Sequence, residues 1–320
     1  MSKSATIWMI IAAVLIVIGL ILFAIVMTKY SWDFSKLSTT EYETNQYTLT
    51  DSFRDICIKT DTADIRFLPS EDGECKIVCY EEKKVKHSVS VEDEVLTIRS
   101  VNEKRWFEHI GVNFNSPKIT VYLPEKEYAS LFVKESTGDV EISQDFRFEN
   151  MELSTSTGRV SCYASASKLV KIETDTGDIR IEKMSAGTMD LKVSTGKINA
   201  KSITCGGDIS IHVSTGKTVL ADVTCNALIS GGRTGDITLK NVIARQRFSI
   251  QRSTGDVVFD HSDAAELYVE TDTGDVTGSL LTEKVFNTDT STGKVRVPNS
   301  VTGGRCEITT DTGDIKIEIS

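Results

Sequence analysis

The sequence predicts an all-β protein: a single-chain β-solenoid (β-helix) of about ten 19–20-residue coils with a β-rich N-terminal cap, preceded by one transmembrane helix. Three observations predict this fold. A Thr-Gly pair recurs every 19 or 20 residues, apolar and polar residues alternate around each pair, and one long apolar segment lies near the N-terminus. The composition fits a folded chain, since 40% of the 320 residues are hydrophobic and only 4 are proline.

The Thr-Gly repeat extends from residue 137 to residue 313. Ten glycines, each preceded by threonine, follow one another at intervals of 19 or 20 residues, and so regular a period identifies a repeat architecture. They are Gly138, Gly158, Gly177, Gly196, Gly216, Gly235, Gly255, Gly274, Gly293 and Gly313. The segment TDTADI at residues 60–65 is a degenerate eleventh copy, with Ala63 in the place of the glycine.

Apolar side chains recur at positions seven and five residues before the glycines and two residues after them, with Ser230, Thr288 and Thr218 as the polar exceptions. In the first copy these are Leu131, Val133 and Val140, with mostly polar residues between them. This alternation predicts strands with one buried face. The unit is too short for a propeller blade of about 40–50 residues or a strand–helix–strand unit of roughly 30. It fits one solenoid coil, and ten coils stacked ~4.8 Å apart make a rod about 48 Å long.

The tripeptide Asp-Thr-Gly, which carries the catalytic carboxylate of aspartic proteases, occurs at Asp175, Asp272 and Asp311. Other copies have serine in this position, as at Ser136 and Ser156. An aspartic protease needs two such loops that meet across a cleft and share a proton, whereas columns on a rod do not converge. We therefore interpret the tripeptide as a bend, in which glycine permits the sharp turn.

Three consecutive copies have aspartate directly after the glycine: Asp236, Asp256 and Asp275. Stacked carboxylates are hard oxygen ligands that attract a divalent cation. The alternative is a solvated acidic stripe, which we favour because calcium-binding β-rolls repeat aspartate on a shorter, more regular motif. We therefore assign no metal site.

Residues 7–27 contain no charged side chain, and these 21 residues are long enough to cross ~30 Å of hydrocarbon as a helix. A cleaved signal peptide has an apolar region of only about 7–15 residues before a small-residue cleavage site, so we expect a retained anchor. Lys3, Lys29 and Lys36 flank the segment on both sides and do not decide its orientation. We predict an anchor at 1–30, a juxtamembrane linker at 31–50, a β-rich cap at 51–130 and the solenoid at 131–320.

The sequence indicates which residues lie at the two ends of the solenoid. Trp106, Phe107 and Phe114 concentrate aromatic side chains in a loop of the cap, where they either cover the end of the core or contact a partner. After the last repeat, the chain ends in DIKIEIS, so we expect the final coil to present an open edge. Lys316 and Glu318 would protect that edge, as charged residues on edge strands do.

The cysteines and histidines show no arrangement typical of a catalytic or metal site. Seven cysteines exclude complete disulfide pairing, and Cys75 and Cys79 are roughly 13 Å apart along one strand, too far to share a metal. Cys205 and Cys225 each lie nine residues after a repeat glycine, so they belong to one column on adjacent coils. They are either a disulfide or two buried thiols. The four histidines are scattered: His87, His109, His212 and His261.

Three stretches carry a family resemblance: FRDICIKTDTADIRFLPS, VEDEVLTIRS, and KITVYLPEKEYASLFVKESTGDVEI, which leads into the coils. They resemble the bacterial putative-adhesin family of β-strand-repeat proteins with STGD-type repeats, over residues 50–320. The resemblance implies a membrane-anchored protein with its N-terminus inside the cell and the solenoid facing outward.

Three functions remain open at this point. The first is a membrane-anchored, extracytoplasmic, non-enzymatic binding or scaffold module, with an envelope protein or a cell-surface polymer as partner. The second is a membrane-tethered structural protein on the cytoplasmic side that self-associates through its open terminal coil. The third, an enzyme on cell-wall polysaccharide, is disfavoured because the constant spacing leaves no long inserted loops to build a cleft. A net charge of −10 argues against nucleic acid, and no cofactor site is predicted.

The column positions of Cys205 and Cys225 generate a prediction for the protein in an oxidising compartment. Stacking at ~4.8 Å lies within the range of Cα separations that a disulfide spans, so the hypothesis is that the two residues are bonded if the solenoid is extracellular, with two buried thiols as the alternative. Mass spectrometry of peptides from the non-reduced protein checks this, and two free thiols in protein taken from intact cells would contradict it.

Overall fold

The computed structural model describes residues 3–33, 40–103 and 115–320. The chain begins with α1 (Lys3–Lys29), within which Ile7–Lys29 is long and apolar enough to cross a membrane, with a mean hydropathy of 3.4. Everything described after α1 is strands, turns and irregular segments. This confirms the predicted fold class, a β-solenoid preceded by one apolar helix.

Seven strands precede the repeats: β1 (Tyr42–Leu49), β2 (Asp55–Thr62), β3 (Asp64–Pro69), β4 (Cys75–Glu82), β5 (Val85–Glu92), β6 (Val95–Asn102) and β7 (Lys118–Leu123). The repeats begin with β8 (Glu127–Thr137), β9 (Val140–Ile142), β10 (Arg147–Thr157), β11 (Val160–Cys162), β12 (Ser165–Thr176), β13 (Ile179–Thr195), β14 (Ile198–Cys205) and β15 (Ile209–Thr215). They continue with β16 (Thr218–Thr234), β17 (Ile237–Thr254), β18 (Val257–Thr273), β19 (Val276–Leu280), β20 (Lys284–Thr292), β21 (Val295–Arg296), β22 (Gly304–Thr312) and β23 (Ile315–Ile319).

The Thr-Gly bends lie directly above one another and are joined by a ladder of hydrogen bonds. The backbone N–H of each repeat glycine that has a neighbouring bend above it donates to the carbonyl oxygen of the threonine in that bend. Gly158 donates to Thr176 at 2.9 Å, for example, and the distances along the ladder range from 2.7 to 3.0 Å. The strands on either side pair in parallel, so residues at equal offsets from the glycine are neighbours.

Glycine is required at the bend because neighbouring coils approach too closely for a side chain. A Cβ atom on Gly196 would lie 1.9 Å from the carbonyl oxygen of Gly177, and one on Gly216 would lie 1.7 Å from that of Gly196. The φ angle of Gly196 is 147°, a conformation that residues with a side chain rarely adopt. Steric exclusion and backbone conformation therefore select the same residue.

The apolar columns form one continuous core, as predicted. Leu131, Val133 and Val140 are at most 1% exposed, and the equivalent residues of the coils above them are also buried. The exceptions belong to a single coil, in which Phe286 is only partly buried and Val295 is 42% exposed. That coil is the outermost one.

The last two coils stack in the reverse of their order along the chain. β18 pairs with β22, and the other edge of β22 pairs with β20. At the bends, Gly274 N donates to Thr312 O at 2.9 Å, and Gly313 N donates to Thr292 O at 3.0 Å. The coil of β22 and β23 is thus inserted between the coil of β18 and β19 and the coil of β20 and β21.

The expectation that the C-terminal residues form the open edge is therefore wrong. β23 pairs with β19 along its whole length and, at Ile315 and Lys316, with β21 on its other side, and Ile315 and Ile317 are buried. Lys316 and Glu318, which we expected to protect an open edge, lie on this inserted strand with their charged groups 3.2 Å apart. The repeat period predicts that the bends stack, but it does not determine the order in which two similar coils do so.

Strands from the cap cover the other end of the solenoid. β2 and β3 form the first coil, since they pair with β8 and β9 on one side and with β6 and β7 on the other. Ala63 N donates to Thr137 O at 3.2 Å, so the degenerate copy stacks like the others. β1 lies within the segment predicted as a linker and pairs antiparallel with β4. Trp106, Phe107 and Phe114 lie outside the described residues.

A buried carboxyl group occupies the corner between the first two coils. Glu135 is 3% exposed and accepts a hydrogen bond from Ala63 N at 2.6 Å through Oε1, while its Oε2 has no hydrogen-bond partner among the described residues. Thr155 and Thr174 occupy the same position in the next two coils and are also buried. Burial raises the pKa of Glu135 to about 8.

Close approach at the bends predicts the effect of adding a single methyl group. Gly196→Ala places a Cβ atom 1.9 Å from a backbone oxygen, so we expect the free energy of unfolding to fall by about 3 kcal/mol or more. Gly206→Ala is the matched control, because its Cβ would have no neighbouring atom closer than 3.9 Å. Denaturation followed by circular dichroism compares them, and equal stability of the two variants would contradict the steric account.

The raised pKa of Glu135 predicts a pH dependence of stability. The folded protein keeps this proton up to about pH 8, whereas the unfolded chain loses it near its ordinary pKa of 4.5. Unfolding between these values releases a proton, so the free energy of unfolding falls as the pH rises and levels off above pH 8. Glu135→Gln, measured by denaturation from pH 5 to 9, should flatten this slope. The control Glu127→Gln, at an exposed position of the same strand, should keep it. Equal slopes in all three proteins would exclude Glu135 as the source.

Candidate binding surface at the C-terminal end

The aspartates after the repeat glycines have a structural role in the described coils. Asp275 N donates to Oδ1 of Asp256 at 2.9 Å, and Asp256 N donates to Oδ1 of Asp236 at 3.3 Å. A hydrogen bond from Lys217, whose Nζ lies 2.7 Å from Oδ2 of Asp236, lowers the pKa of Asp236. Each carboxylate thus accepts a backbone hydrogen bond from the next coil. This geometry gives the three aspartates a structural role and favours the solvated acidic stripe over a metal site.

The Asp-Thr-Gly residues lie at exposed bends. Asp272 and Asp311 occupy neighbouring coils, because Thr271 pairs with Thr310, while Asp175 lies several coils away on the same rod. The three carboxylates therefore form no pair facing across a cleft, which agrees with their interpretation as parts of bends.

Cys205 and Cys225 lie on adjacent coils, as their spacing predicts, because Thr204 pairs with Thr224. Both are buried and are thiols in the structure. Burial raises the pKa of Cys225 to about 12 and also raises that of Cys205. The thiol of Cys205 donates to the carbonyl oxygen of Gly187 at 3.5 Å. The disulfide stays a prediction for the oxidised protein.

The exchange of the last two coils creates a groove of about 610 Å³. Its walls come from four segments of the solenoid, namely residues 243–244, 263–265, 282–284 and 302–304. The alanines and the isoleucine make much of the lining apolar. The groove lies beside the segment that connects β21 to β22, which contributes Thr302 and Gly303 to its wall.

A buried ion pair forms one wall of this groove. Lys284 Nζ lies 2.7 Å from Oδ1 of Asp263, and the side chains are 2% and 10% exposed. The ammonium group also donates to Oγ1 of Thr282, and the carboxylate accepts from Ala264 N at 2.8 Å. The pair is thus well satisfied, which compensates for the cost of burying two charges. The pair places a fixed cation and a fixed anion in the wall of the groove, beside its apolar lining.

Two glycines allow the segment that enters β22 to pass close to the backbone of neighbouring coils. A Cβ on Gly304 would lie 1.8 Å from the carbonyl oxygen of Ala265, and one on Gly303 would lie 1.9 Å from that of Glu283. The hydroxyl groups of Ser300 and Thr302 donate to Oε2 of Glu283 at 3.2 and 2.8 Å. These contacts fix the rim of the groove.

The outer edge of the last coil lacks a pairing strand in the described part of the chain. β20 pairs only with β22, and β21 only with β23. Large apolar side chains are exposed at this end, namely Leu281, Val285, Val295 and Val301. A free backbone edge beside exposed apolar side chains is typical of a surface that binds another chain.

Comparison with known proteins agrees with this architecture. Residues 53–216 and 204–320 match the family described as Toastrack DUF4097. The chain belongs to the Toastrack family.

Two solved structures are similar to this Toastrack chain in fold. A putative adhesin from Parabacteroides merdae ATCC 43184 is 14% identical with a TM-score of 0.51, and the alignment covers 77% of this chain and 98% of that one. A putative adhesin from Parabacteroides distasonis ATCC 8503 is 11% identical with a TM-score of 0.50, covering 87% and 98%. No curated protein matches the sequence. At these identities the likeness shows the fold alone.

The repeat pattern does not predict the groove or its ion pair. Lys284 and Asp263 lie outside the three apolar columns, where the repeat pattern does not specify burial. The pair Gly303-Gly304, next to Thr302, was a usable signal, because it departs from the 19–20-residue spacing of the other Thr-Gly bends.

Proposed function

We propose that this Toastrack protein is a membrane-anchored, non-enzymatic binding module that presents its solenoid outside the cytoplasm. Its partner would be an envelope protein or a cell-surface polymer, held at the C-terminal end of the rod. We also propose the division into an anchor at 1–30, a linker at 31–50, a cap at 51–130 that contributes the first coil, and the solenoid repeats at 131–320.

The two unlike ends of the rod carry this proposal. At the N-terminal end, an apolar helix precedes strands that cover the first coil. At the other end, the groove and the unpaired edge of β20 remain accessible. A rod that is anchored and covered at one end and open at the other is suited to holding a binding surface away from a membrane.

The names of the similar structures support a binding role. Both are described as putative adhesins, and adhesion needs a stable surface rather than catalytic groups. The hydrogen-bonded bends of this chain provide such a rigid scaffold, because each coil is held by its neighbours.

Self-association is the second candidate, and the unpaired edge of β20 favours it. Two chains that pair through this edge would extend the sheet from one molecule into the next. End-to-end filaments of the purified protein, seen by electron microscopy and lost when proline replaces Val285 on the edge strand, would support this function over the first.

The proposed orientation predicts the result of protease treatment of intact cells. An external protease should remove the solenoid while a cytoplasmic control protein stays intact. If the solenoid is cleaved only after lysis, the extracytoplasmic part of the proposal is wrong.

The proposed binding surface predicts the effect of filling the groove. Ala265→Trp adds a large side chain to an exposed position in the groove, so we expect the detergent-solubilised full chain to lose the species that the native protein captures from envelope extract. Ser210→Trp is the matched control on an exposed strand position in the middle of the rod. Equal capture by both variants would contradict binding at the groove.

A further inference from the structure

The hairpin of β4 and β5 brings three possible metal ligands together inside the cap. Cys79 and Glu81 point to the same side of β4, because side chains two residues apart share a face. The turn after Glu82 then returns the chain, so that His87 on β5 meets them. The cysteine sulfur, a carboxylate oxygen and an imidazole nitrogen all lie within 4.8 Å of one another.

All three side chains are buried and two of them are firmly held. His87 Nδ1 lies 2.7 Å from Oε2 of Glu81, and the two side chains are 2% and 0% exposed. The same oxygen accepts from His87 N at 2.6 Å, while Oε1 accepts from Nδ2 of Asn45 at 2.7 Å. Tyr47 donates its hydroxyl to His87 O at 3.1 Å. Strand β1 thus fixes the carboxylate and the histidine from a second side.

The hydrogen bonds account for Glu81 and His87 but not for Cys79. The thiol of Cys79 is fully buried, and its sulfur makes no hydrogen bond within the described part of the chain. A thiol beside a carboxylate and an imidazole completes a set of sulfur, oxygen and nitrogen donors. Among the described residues, this is the one group of three or more such side chains close enough to hold an ion.

The chemistry of the three donors selects the kind of ion. Zinc binds cysteine sulfur at about 2.3 Å and histidine nitrogen or carboxylate oxygen at about 2.0–2.2 Å, in tetrahedral geometry. Such bonds place the donor atoms roughly 3–4 Å apart, which is compatible with the cluster. Calcium and magnesium take oxygen donors, so a site with a thiolate does not suit them.

We propose that Cys79, Glu81 and His87 bind one zinc ion, with a water molecule as the fourth ligand. The ion would replace the contact between His87 and Glu81 and would join β4 to β5. Because β4 also pairs with β1 and β7, it would brace the strands that cover the first coil.

Titration of the metal-free full chain with Co²⁺ tests the site. The protein is purified in detergent without a histidine tag and treated with a chelator. We expect one equivalent of Co²⁺ to produce the absorption band of a thiolate-to-cobalt charge transfer, and Zn²⁺ to abolish that band by displacement. Absence of the band, or a band from several equivalents, would overturn the proposal.

Cysteine variants give a matched comparison. Cys79→Ser should abolish the band, whereas Cys75→Ser should keep it, since Cys75 is a buried residue of the same strand face outside the cluster. His87→Gln and Glu81→Gln should weaken Zn²⁺ binding by about tenfold or more. Zn²⁺ should raise the melting temperature of the native protein and of Cys75→Ser, but not that of Cys79→Ser. A band that survives in folded Cys79→Ser would assign the metal to another site.

X-ray absorption on the native protein decides the question without any variant that depends on folding. At the zinc edge we expect a shell of one sulfur and the remainder nitrogen or oxygen. A shell without sulfur, or with more than one, would contradict coordination by Cys79, Glu81 and His87.

Discussion

The close approach of successive bends is the constraint on which the rest of this structure depends. The carbonyl oxygen of one repeat glycine occupies the place where a Cβ atom of the next would be, as at Gly177 and Gly196. With no side chain between them, the backbones of two coils come close enough for the glycine N–H to bond the threonine carbonyl above it. Each such bond contributes only about 1 kcal/mol to stability. The ladder repeats it at every level and keeps the apolar columns in register.

Register explains why so much of the fold could be predicted from the sequence. Once the bends are aligned, the positions seven and five residues before each glycine and two residues after it must become columns, and the core confirms this from Leu131 to Ile315. The order of the last two coils could not be predicted, because both orders satisfy the same columns. The polar residue Thr288 in an apolar column hints at an outer coil, but Ser230 is also polar and is fully buried in the middle of the rod. The pattern alone does not distinguish these cases.

The repeat pattern could not predict the sites outside the apolar columns, because these sites do not follow the repeat period. The ion pair joins Lys284 at the start of β20 to Asp263 of β18, and the cluster of Cys79 with His87 depends on the hairpin of β4 and β5. Neither depends on the period of 19 or 20 residues. The regular part of the molecule thus supplies length and rigidity, while its irregular ends carry the polar chemistry. The proposed binding surface at one end and the proposed zinc site at the other are consistent with that division.

Cross-linking of engineered cysteines tests the order of the stacked bends most directly. Residues 272 and 311 lie side by side on adjacent coils, whereas residue 291 lies one coil further out. Adjacent coils are ~4.8 Å apart and the next pair about 9.6 Å, and only the first distance suits a disulfide. Under mild oxidation, the double variant Asp272→Cys with Asp311→Cys should form the bond, and Asp272→Cys with Ser291→Cys should not. The opposite result would mean that the coils stack in chain order, and bonding in neither variant would mean that the bends are not stacked as described.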